Sequence, residues 1–507
     1  MLHPRLNMIR TLGRITLIAV ALVGISACTS APAEAPTKAS TVTYARIGDQ
    51  ALTDMINDFY AHGQWKACAS CWASNQDWGD DAMTYALWLR WEVHHHDASV
   101  IPALQALANT APSYGPPCAH GSACGQWSDI PMWDSIALGR EYEATGSKSA
   151  TIHTKETAAF QTVDGAGSSV YAFGACPLIH YQQPGGGGNR FKTQETDANY
   201  IKAALLLYRY THDPSYLTKA ENVYAAVRRY SLDRHLALYS VAVFDNGSAC
   251  RQVRGRFFAS VNGDMIDNGI MLAGDTGNKT YLHQAVATGQ AVAHALSDAR
   301  GVFTDLQAEN DVVEPLVEGM YDLAAKEQQS FAKNWLQAAA SASASSLTAT
   351  GAYSRMFDGP ANPGTITIWQ TNGGYALAFA EAGLNPTGTP ATTTAWAHAT
   401  SHGVAITTAT LPASLNFTGT GIALIGTLGE QCCDVGHARV LLDGVETSDT
   451  TGIWQNESSA GRTIPDTVLF AWRWPTSSRH TLTIYPGIAD AKEGGSFVHI
   501  QSYLVDP

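Results

Sequence analysis

The sequence is poor in positive charge. Of its 507 residues, 31 are lysine or arginine and 44 are aspartate or glutamate, which gives a formal net charge of −13. No basic run occurs outside the extreme N-terminus. Because proteins that bind nucleic acid need a basic surface for the phosphate backbone, the composition argues against nucleic-acid binding. The hydrophobic content of 45% is ample for large cores.

The signatures of metal and nucleotide cofactors are incomplete. The glycine run 185–188 lacks the Lys-Ser/Thr of a phosphate-binding loop, so we interpret it as a flexible rim. Cys68 and Cys71 have the spacing of half a zinc site, but no second Cys or His pair follows at zinc-finger spacing. The side chains of the three adjacent histidines at 94–96 would point in different directions on a helix, which argues against a shared metal ion. We therefore expect neither a metal nor a cofactor.

The N-terminus has the features of a bacterial lipoprotein signal. Three arginines precede an apolar stretch over 15–25, and the segment ends in Ile-Ser-Ala-Cys28. This pattern predicts a signal peptide over 1–28, a lipid on Cys28 and a flexible tether over 29–48. The protein would then be anchored in the membrane of the cell envelope and face the extracytoplasmic side. Ordinary cleavage at the same place, with secretion of the protein, is the alternative.

Cysteine is scarce but its number is informative. Nine cysteines occur, and eight remain if Cys28 carries lipid. An even number in an oxidising compartment permits four disulfides. The spacing predicts the pairs Cys68–Cys71, Cys118–Cys124 and Cys176–Cys250, whereas the adjacent Cys432 and Cys433 either pair with each other or reach separate partners.

A helical hairpin recurs along residues 49–384. Similar turns contain Thr145, Thr211 and Thr276, which are 66 and 65 residues apart. Such self-similarity indicates a repeat architecture. Apolar periodicity predicts inner helices that begin near Asp80, Asp129, Asp197, Asp264, Asp311 and Gln370. It predicts outer helices near 49–62, 97–110, 148–161, 214–230, 279–299 and 327–346. We therefore expect a mainly α protein with an (α/α)6 toroid.

The pattern changes after Leu384. Residues 385–395 form a turn-rich linker, and short alternating runs separated by Gly, Asp and Pro follow. These runs predict a small β-sandwich over 396–507, which resembles the galactose-binding-like jelly rolls often joined to glycan-active enzymes. Carbohydrate binding would then use a stacking face, although core packing explains the same tryptophans equally well: Trp454, Trp472 and Trp474.

The segment 126–146 carries a resemblance to a known family. It contains Trp127, Ser128, Asp129 and Trp133, followed by an apolar helix that ends in Tyr-Glu-Ala-Thr-Gly. This resembles the catalytic hairpin of glycoside hydrolase family 76, the α-1,6-mannanases. Segments 196–217, 260–282 and 313–323 agree with it, so the resemblance spans about 49–384. It implies hydrolysis of an O-glycosidic bond in a polysaccharide or oligosaccharide, and it points to an α-mannan-like glycan as the substrate.

The resemblance is incomplete at the catalytic pair. Asp129 matches the family's general acid/base, but Ser128 stands where the family has its nucleophilic aspartate. Asp80 and Asp81 begin the preceding inner helix and offer a second carboxylate. Inversion needs two carboxyl groups about 6.5 to 9.5 Å apart, and neighbouring helix axes lie about 8 to 10 Å apart. We therefore expect Asp129 to act as the acid, with Asp80 or Asp81 as the base.

Further candidates surround these carboxylates. Tryptophans that flank them would stack on sugar or pack in the core: Trp78, Trp127 and Trp133. Polar residues at the next two helix starts would recognise hydroxyl groups or only cap the helices: Asp197, Asn199, Asn262 and Asp264. Glu314 and Glu318 share one face of the fifth inner helix and are weaker candidates. We expect the aspartates at these helix starts to lie close together at one open end of the ring, which we call the mouth: Asp81, Asp129, Asp197 and Asp264.

Two other functions fit the sequence. Trp78-Gly-Asp80-Asp81-Ala-Met83 partly resembles a motif of the unsaturated uronyl hydrolases, which are also toroids. Alternatively, the chain is a glycan-binding surface lipoprotein that lost catalysis together with the nucleophile. The feature that separates these functions is Ser128 beside an intact Asp80-Asp81 pair.

Overall fold

The computed structural model describes residues 42–71, 78–94, 96–110, 128–164, 176–179, 191–254, 257–304, 308–309, 313–391, 395–428, 437–446, 453–454, 464–486 and 498–507. The predicted signal peptide with Cys28, the Cys118–Cys124 pair, Trp127 and the adjacent Cys432 and Cys433 lie outside the described residues. The side chains of Trp78 and Trp454 do so too. Among the helices described, none combines the length and the apolar character needed to cross a membrane.

Two sets of helices alternate along the chain. The inner set is α2 (Trp78–Val93), α5 (Asp129–Ala144), α7 (Gln194–Thr211), α9 (Ala259–Thr276), α11 (Glu314–Ala325) and α13 (Ile368–Leu384). The outer set is α1 (Tyr44–Phe59), the short α3 (Ile101–Leu104) and α4 (Ala106–Thr110), α6 (Ala150–Asp164), α8 (Pro214–Tyr230), α10 (Lys279–Ala295) and α12 (Ser330–Ser343).

The inner helices close a ring. Helix α2 packs against α5, α5 against α7, α7 against α9, α9 against α11, α11 against α13, and α13 against α2. The two sets differ in how much of each helix is buried. Thirteen of the eighteen residues of the inner helix α7 are buried, whereas five of the seventeen residues of the outer helix α8 are buried. A helix that is enclosed by others loses its polar face. The arrangement agrees with the helical toroid predicted from the repeat.

The recurring turns have a common local chemistry. Helix α7 ends at His212, which is left-handed with φ 56°, and Asp213 then caps α8 by accepting from the backbone N–H of Ser215 at 2.9 Å. Helix α9 ends at Gly277 with φ 71°, and Asn278 caps α10 in the same way. A left-handed residue followed by an Asp or Asn cap ends one helix and begins the next.

The toroid also contains short paired strands and two disulfide bonds. Antiparallel pairs join β1 (Tyr60–Ala61) to β2 (Gln64–Trp65), β4 (Leu232–Asp233) to β5 (Leu238–Tyr239), and β6 (Ala242–Asp245) to both β3 (Phe191–Thr193) and β7 (Cys250–Gln252). Strands β8 (Phe257–Phe258) and β9 (Ala308–Glu309) are parallel. The predicted disulfides Cys68–Cys71 and Cys176–Cys250 are confirmed.

The C-terminal part is a β domain. Its strands are β10 (Thr400–Thr407), β11 (Ala413–Leu428), β12 (His437–Leu442), β13 (Val445–Glu446), β14 (Ile453–Trp454), β15 (Ile464–Pro486) and β16 (His499–Asp506). They pair antiparallel in the order β10-β16-β11-β15-β12-β13, and β14 pairs with β12. Strand β15 is long, and it includes both of the alternating runs at 467–472 and 480–485, which the sequence pattern predicts as separate strands.

One apolar core holds this sheet. Ile406 of β10, at one edge, and Leu442 of β12, near the other, belong to the same cluster of buried side chains. Trp472 and Trp474 are partly buried and pack against this cluster, and the ring of Trp474 stacks on His480 with 3.8 Å between centroids. Core packing therefore describes these two tryptophans. A jelly-roll topology and a carbohydrate ligand stay predictions for this domain.

The β domain packs directly on the toroid. Asp358, in the segment before α13, is an acceptor for Arg300 of the toroid at 3.1 Å. Its backbone carbonyl accepts from Trp396 Nε1 at 2.9 Å, and Arg473 of β15 lies 3.8 Å from its carboxylate. A small buried cluster also spans the boundary and contains Met356, Ile425 and Val468. The contact thus combines apolar burial with fixed polar partners.

Candidate active site

Four inner helices contribute one side chain each to a closed set of contacts, which we call the four-residue layer: Tyr85 of α2, Trp133 of α5, Asn199 of α7 and Asp264 of α9. The rings of Tyr85 and Trp133 meet edge to face at 5.3 Å. Trp133 Nε1 donates to the carboxamide oxygen of Asn199 at 3.1 Å, and the Asn199 nitrogen donates to Asp264 Oδ2 at 2.7 Å. Tyr85 OH donates to Asp264 Oδ1 at 3.2 Å and closes the set.

One helical turn nearer the helix starts lie four further residues. Residues four positions apart occupy the same face of a helix, so Asp81, Asp129, Glu195 and Ser260 stand above the members of the four-residue layer. Ser260 Oγ donates to Glu195 Oε1 at 2.9 Å, which joins the starts of α7 and α9. At the other side, Gly79 of α2 has no room for a side chain, because an added Cβ would lie 2.6 Å from the indole of Trp369 in α13.

These contacts bring the starts of neighbouring inner helices to one end of the ring. Gly263 shows how close they are, since an added Cβ there would lie 2.2 Å from the backbone nitrogen of Leu316 in α11. Asp129 is partly exposed and its Oδ1 accepts from the backbone N–H of Ile130 at 3.1 Å. Asp80 and Asp81 are buried. Asp129 is therefore the more accessible of the predicted catalytic carboxylates.

Sequence analysis did not identify Glu195. The residue is partly buried, and its carboxyl group lies in the first turn of α7. Burial raises the pKa of Glu195 to about 8, and the negative charges of Asp129 and Asp264 add to this effect. Position was the available signal, because Glu195 lies one turn before Asn199 on the same helix face.

A network of buried charged side chains lies next to the four-residue layer and contacts its member Asp264. Lys202 Nζ lies 2.8 Å from Asp264 Oδ1, 3.1 Å from Asp267 Oδ2 and 2.8 Å from Glu318 Oε2. Arg140 of α5 pairs with the other oxygen of Glu318. Because a buried charge needs a partner, this network positions α5, α7, α9 and α11 relative to one another. The weaker candidate Glu318 is thus a structural residue of the ion network.

Asp197 and Asn262 do not join the four-residue layer. Asp197 Oδ1 accepts from the backbone N–H of Ile179 at 2.9 Å and its Oδ2 from Gln194 Nε2 at 3.1 Å. Asn262 accepts from the backbone N–H of Tyr239 at 2.9 Å and donates to its carbonyl oxygen at 3.1 Å. Both side chains hold neighbouring loops and strands. Hydroxyl recognition by these two residues stays a prediction.

The predicted aromatic residues differ in their placement. Trp133 is 3% exposed, and its indole nitrogen is engaged by Asn199, so it forms the floor of the site and presents little ring surface to a sugar. The side chains of Trp78 and Trp127 lie outside the described residues, and sugar stacking by them stays a prediction. Ser128 is buried at the N-cap of α5 and its hydroxyl makes no capping hydrogen bond.

No protein-family model matches the sequence, and no curated protein matches it. Solved structures match the fold. The GH76A α-1,6-mannanase from Salegentibacter sp. HEL1_6 aligns with a TM-score of 0.54 at 15% identity, over 67% of this chain and 99% of that one. The GH76 α-mannanase BT2949 of Bacteroides thetaiotaomicron aligns with a TM-score of 0.54 at 15% identity, over 68% and 97%.

A third match is the family 76 mannosidase Bt3792 of Bacteroides thetaiotaomicron, with a TM-score of 0.55 at 12% identity, over 67% of this chain and 98% of that one. Identities this low establish the fold alone. The chain therefore has a fold like that of the glycoside hydrolase family 76 α-1,6-mannanases.

Proposed function

We propose that this protein is a glycoside hydrolase that cleaves an α-mannan-like polysaccharide at the mouth formed by the starts of its inner helices. We further propose that the toroid is of the (α/α)6 type, in which α3 and α4 together take the place of the second outer helix. The observation that carries the function is the four-residue layer. Its member Trp133 lies one helical turn below Asp129. The corresponding turns of the neighbouring helices α2 and α7 carry the carboxyl groups of Asp81 and Glu195.

Two carboxyl groups are the minimum for this chemistry. One protonates the leaving oxygen, and the other activates water or attacks the anomeric carbon. Asp129 is the central group in our proposal because it is accessible and lies at the first turn of α5. The sequence favours Asp80 or Asp81 as its partner, and both lie buried in the first turn of the adjacent helix α2.

The proposed substrate follows from the structural neighbours. An inactive variant of the Salegentibacter α-1,6-mannanase, with two adjacent aspartates replaced, is known in complex with α-1,6-mannotriose. This chain has Ser128 and Asp129 in the corresponding hairpin. A mannan-like glycan is therefore the first substrate to test. Access to polysaccharide also suits the proposed lipid anchor at Cys28, which would hold the enzyme at the extracytoplasmic face of the envelope.

The decisive experiment is a substrate screen. Purified protein is incubated with mannans, arabinans, galactans and uronides, and the products are followed by chromatography, with Asp129→Asn as the matched control. We expect α-mannan to be cleaved by the wild type, and the variant to lose about 10²- to 10⁴-fold in rate because general acid–base help is removed. Wild-type activity in the variant would reduce Asp129 to a helix cap.

The runner-up functions are separated by the same screen. A uronyl hydrolase needs a cation for the substrate carboxylate, but Arg140 and Lys202, the buried cations next to the four-residue layer, are already paired with carboxylates. Cleavage of uronides alone would nevertheless favour that enzyme. Ser128, buried at the nucleophile position, supports a non-catalytic glycan-binding lipoprotein. Tight glycan binding without any cleavage would establish that function.

A further inference from the structure

We infer that Glu195, in the first turn of α7, is the catalytic partner of Asp129 and donates the proton to the leaving oxygen. This assignment rests on the proposed glycoside hydrolysis. It departs from the expectation drawn from the sequence, in which Asp129 is the acid and a carboxylate of α2 is the base. The geometry instead points to Asp129 as the base. The acid then comes from α7, the inner helix that packs against the other side of α5.

The position of Glu195 is fixed from two directions. Ser260 Oγ, in the first turn of α9, donates to its Oε1 at 2.9 Å. One turn below, Asn199 is bonded to Trp133 and to Asp264, which fixes the start of α7 against both α5 and α9. The second oxygen, Oε2, is free of this serine. In this assignment Oε2 carries the proton that is transferred to the leaving oxygen.

The charges around Glu195 favour its neutral form. Burial raises the pKa of Glu195 to about 8, and the negative charges of Asp129 and Asp264 add to this effect. Among the described residues, Lys202 is a buried cation next to the four-residue layer, but its ammonium group is shared by Asp264, Asp267 and Glu318. Glu195 therefore holds its proton at neutral pH, as a general acid must.

The reaction balances with these two groups and water. The proton of Glu195 moves to the glycosidic oxygen as the bond from that oxygen to the anomeric carbon breaks. Asp129 takes a proton from water while the water oxygen bonds to the anomeric carbon. The products are two sugar hydroxyl groups, with Glu195 ionised and Asp129 protonated. Exchange with solvent returns both groups to their initial states, and no oxidant, reductant or further reactant is needed.

Leaving-group dependence tests this assignment. An aryl mannoside with an acidic phenol departs without protonation, whereas a sugar leaving group needs it. We expect Glu195→Gln to lose about 10²- to 10⁴-fold in kcat/KM on mannan but to keep most of its rate on the aryl mannoside. Asp129→Asn should lose activity on both substrates. The exposed Glu143→Gln at the far end of α5 is the matched control and should behave as wild type.

The outcomes separate this assignment from the proposed function. Glutamine can still accept from Ser260, and circular dichroism and thermal melting will verify the fold of each variant. Full activity of Glu195→Gln on mannan, or equal losses on both substrates, would overturn the role of Glu195 and leave the hydrolase intact. Aryl-mannoside rescue in Asp80→Asn or Asp81→Asn would move the acid to α2. A wild type that cleaves no glycan would overturn both proposals.

Discussion

Lys202 of α7 and Asp264 of α9 form an ion pair in which both side chains are fully buried, with 2.8 Å between Nζ and Oδ1. The same ammonium group also contacts Asp267 and Glu318. Three carboxylates from two helices thus share one cation. Because Asp264 also belongs to the four-residue layer, this pair links the stability of the ring to the floor of the candidate active site.

Loss of this cation should be costly. Lys202→Met keeps the length of the side chain but leaves three buried carboxylates without their shared partner. We expect a loss of about 3 to 5 kcal/mol in the free energy of unfolding, measured by denaturant titration. Lys219→Met is the control, because the Lys219–Asp164 pair is partly exposed and should contribute about 0 to 1 kcal/mol. Similar losses in both variants would show that the network is not a main source of stability.

Glu141 predicts a dependence of stability on pH. Its side chain is buried and accepts from the backbone N–H of Ala108 at 3.2 Å, and burial raises its pKa to about 8. Since the folded state then holds the proton more tightly than the unfolded state, stability is complete below the unfolded pKa and decreases as pH rises to about 8. The slope is at most about 1.4 kcal/mol per pH unit for this group.

The variant Glu141→Gln removes this dependence. It should match the wild type below the unfolded pKa of about 4.3 and melt at a higher temperature than the wild type at pH 8, whereas the exposed Glu143→Gln should follow the wild type at both values. Thermal melting in matched buffers measures the difference. A parallel pH profile for Glu141→Gln and the wild type would mean that Glu141 is already ionised in the folded protein.

The two disulfides should differ in their effect on stability. Cys176–Cys250 spans 74 residues and Cys68–Cys71 spans 3. A longer closed loop removes more entropy from the unfolded chain, so replacing both cysteines by serine should cost about 4 kcal/mol for the long loop and about 2 kcal/mol for the short one. Denaturant titration of both double variants provides the comparison. A larger loss for the short loop would contradict the entropic argument.

The stereochemistry of the product is a further prediction. The resemblance to family 76 implies that Ser128 replaces the nucleophile. Because a serine brings no negative charge, we expect no glycosyl-enzyme and inversion at the anomeric carbon. Proton NMR during the first minutes of hydrolysis distinguishes the anomers before they equilibrate. Retention would require that another carboxylate at the mouth acts as the nucleophile.

Membrane attachment depends on Cys28 in our proposal. Cys28→Ala should move the protein from the membrane fraction to the soluble fraction while the toroid stays folded, because Cys28 precedes the first helix of the toroid, α1, which begins at Tyr44. Fractionation with immunodetection measures this, and Cys71→Ala is a control that leaves the signal intact. Unchanged fractionation of Cys28→Ala would argue that no lipid is attached.

The sequence predicted the helices well because their apolar faces and caps recur. Helix α5 begins at Asp129 and α8 covers Pro214–Tyr230, as the turn residues indicated. The start of α9 was less accurate, since the helix begins at Ala259, five residues before Asp264. Aspartate at a helix start resembles a cap, but Asp264 lies in the second turn, where its partner is Lys202.

The same shift explains why the sequence did not identify Glu195 and Ser260. The positions one turn closer to the mouth belong to Glu195 and Ser260, which have no distinctive motif around them. Their meeting joins residues 65 positions apart in the sequence. Local pattern cannot show which polar side chains of two helices face one another, because that depends on the rotation of each helix in the ring. Asp197 illustrates this, since its rotation directs it to Ile179.

The junction around Asp358 bears on how this protein is divided for experiments. Trp396 and Arg473 of the β domain hold Asp358, and Met356 shares a buried cluster with Ile425 and Val468. A fragment ending at Leu384 would keep every helix of the toroid but would expose Met356 to water and leave Asp358 with Arg300 as its remaining described partner. The toroid thus depends on the β domain for some of its buried and polar contacts, and the two should be expressed together.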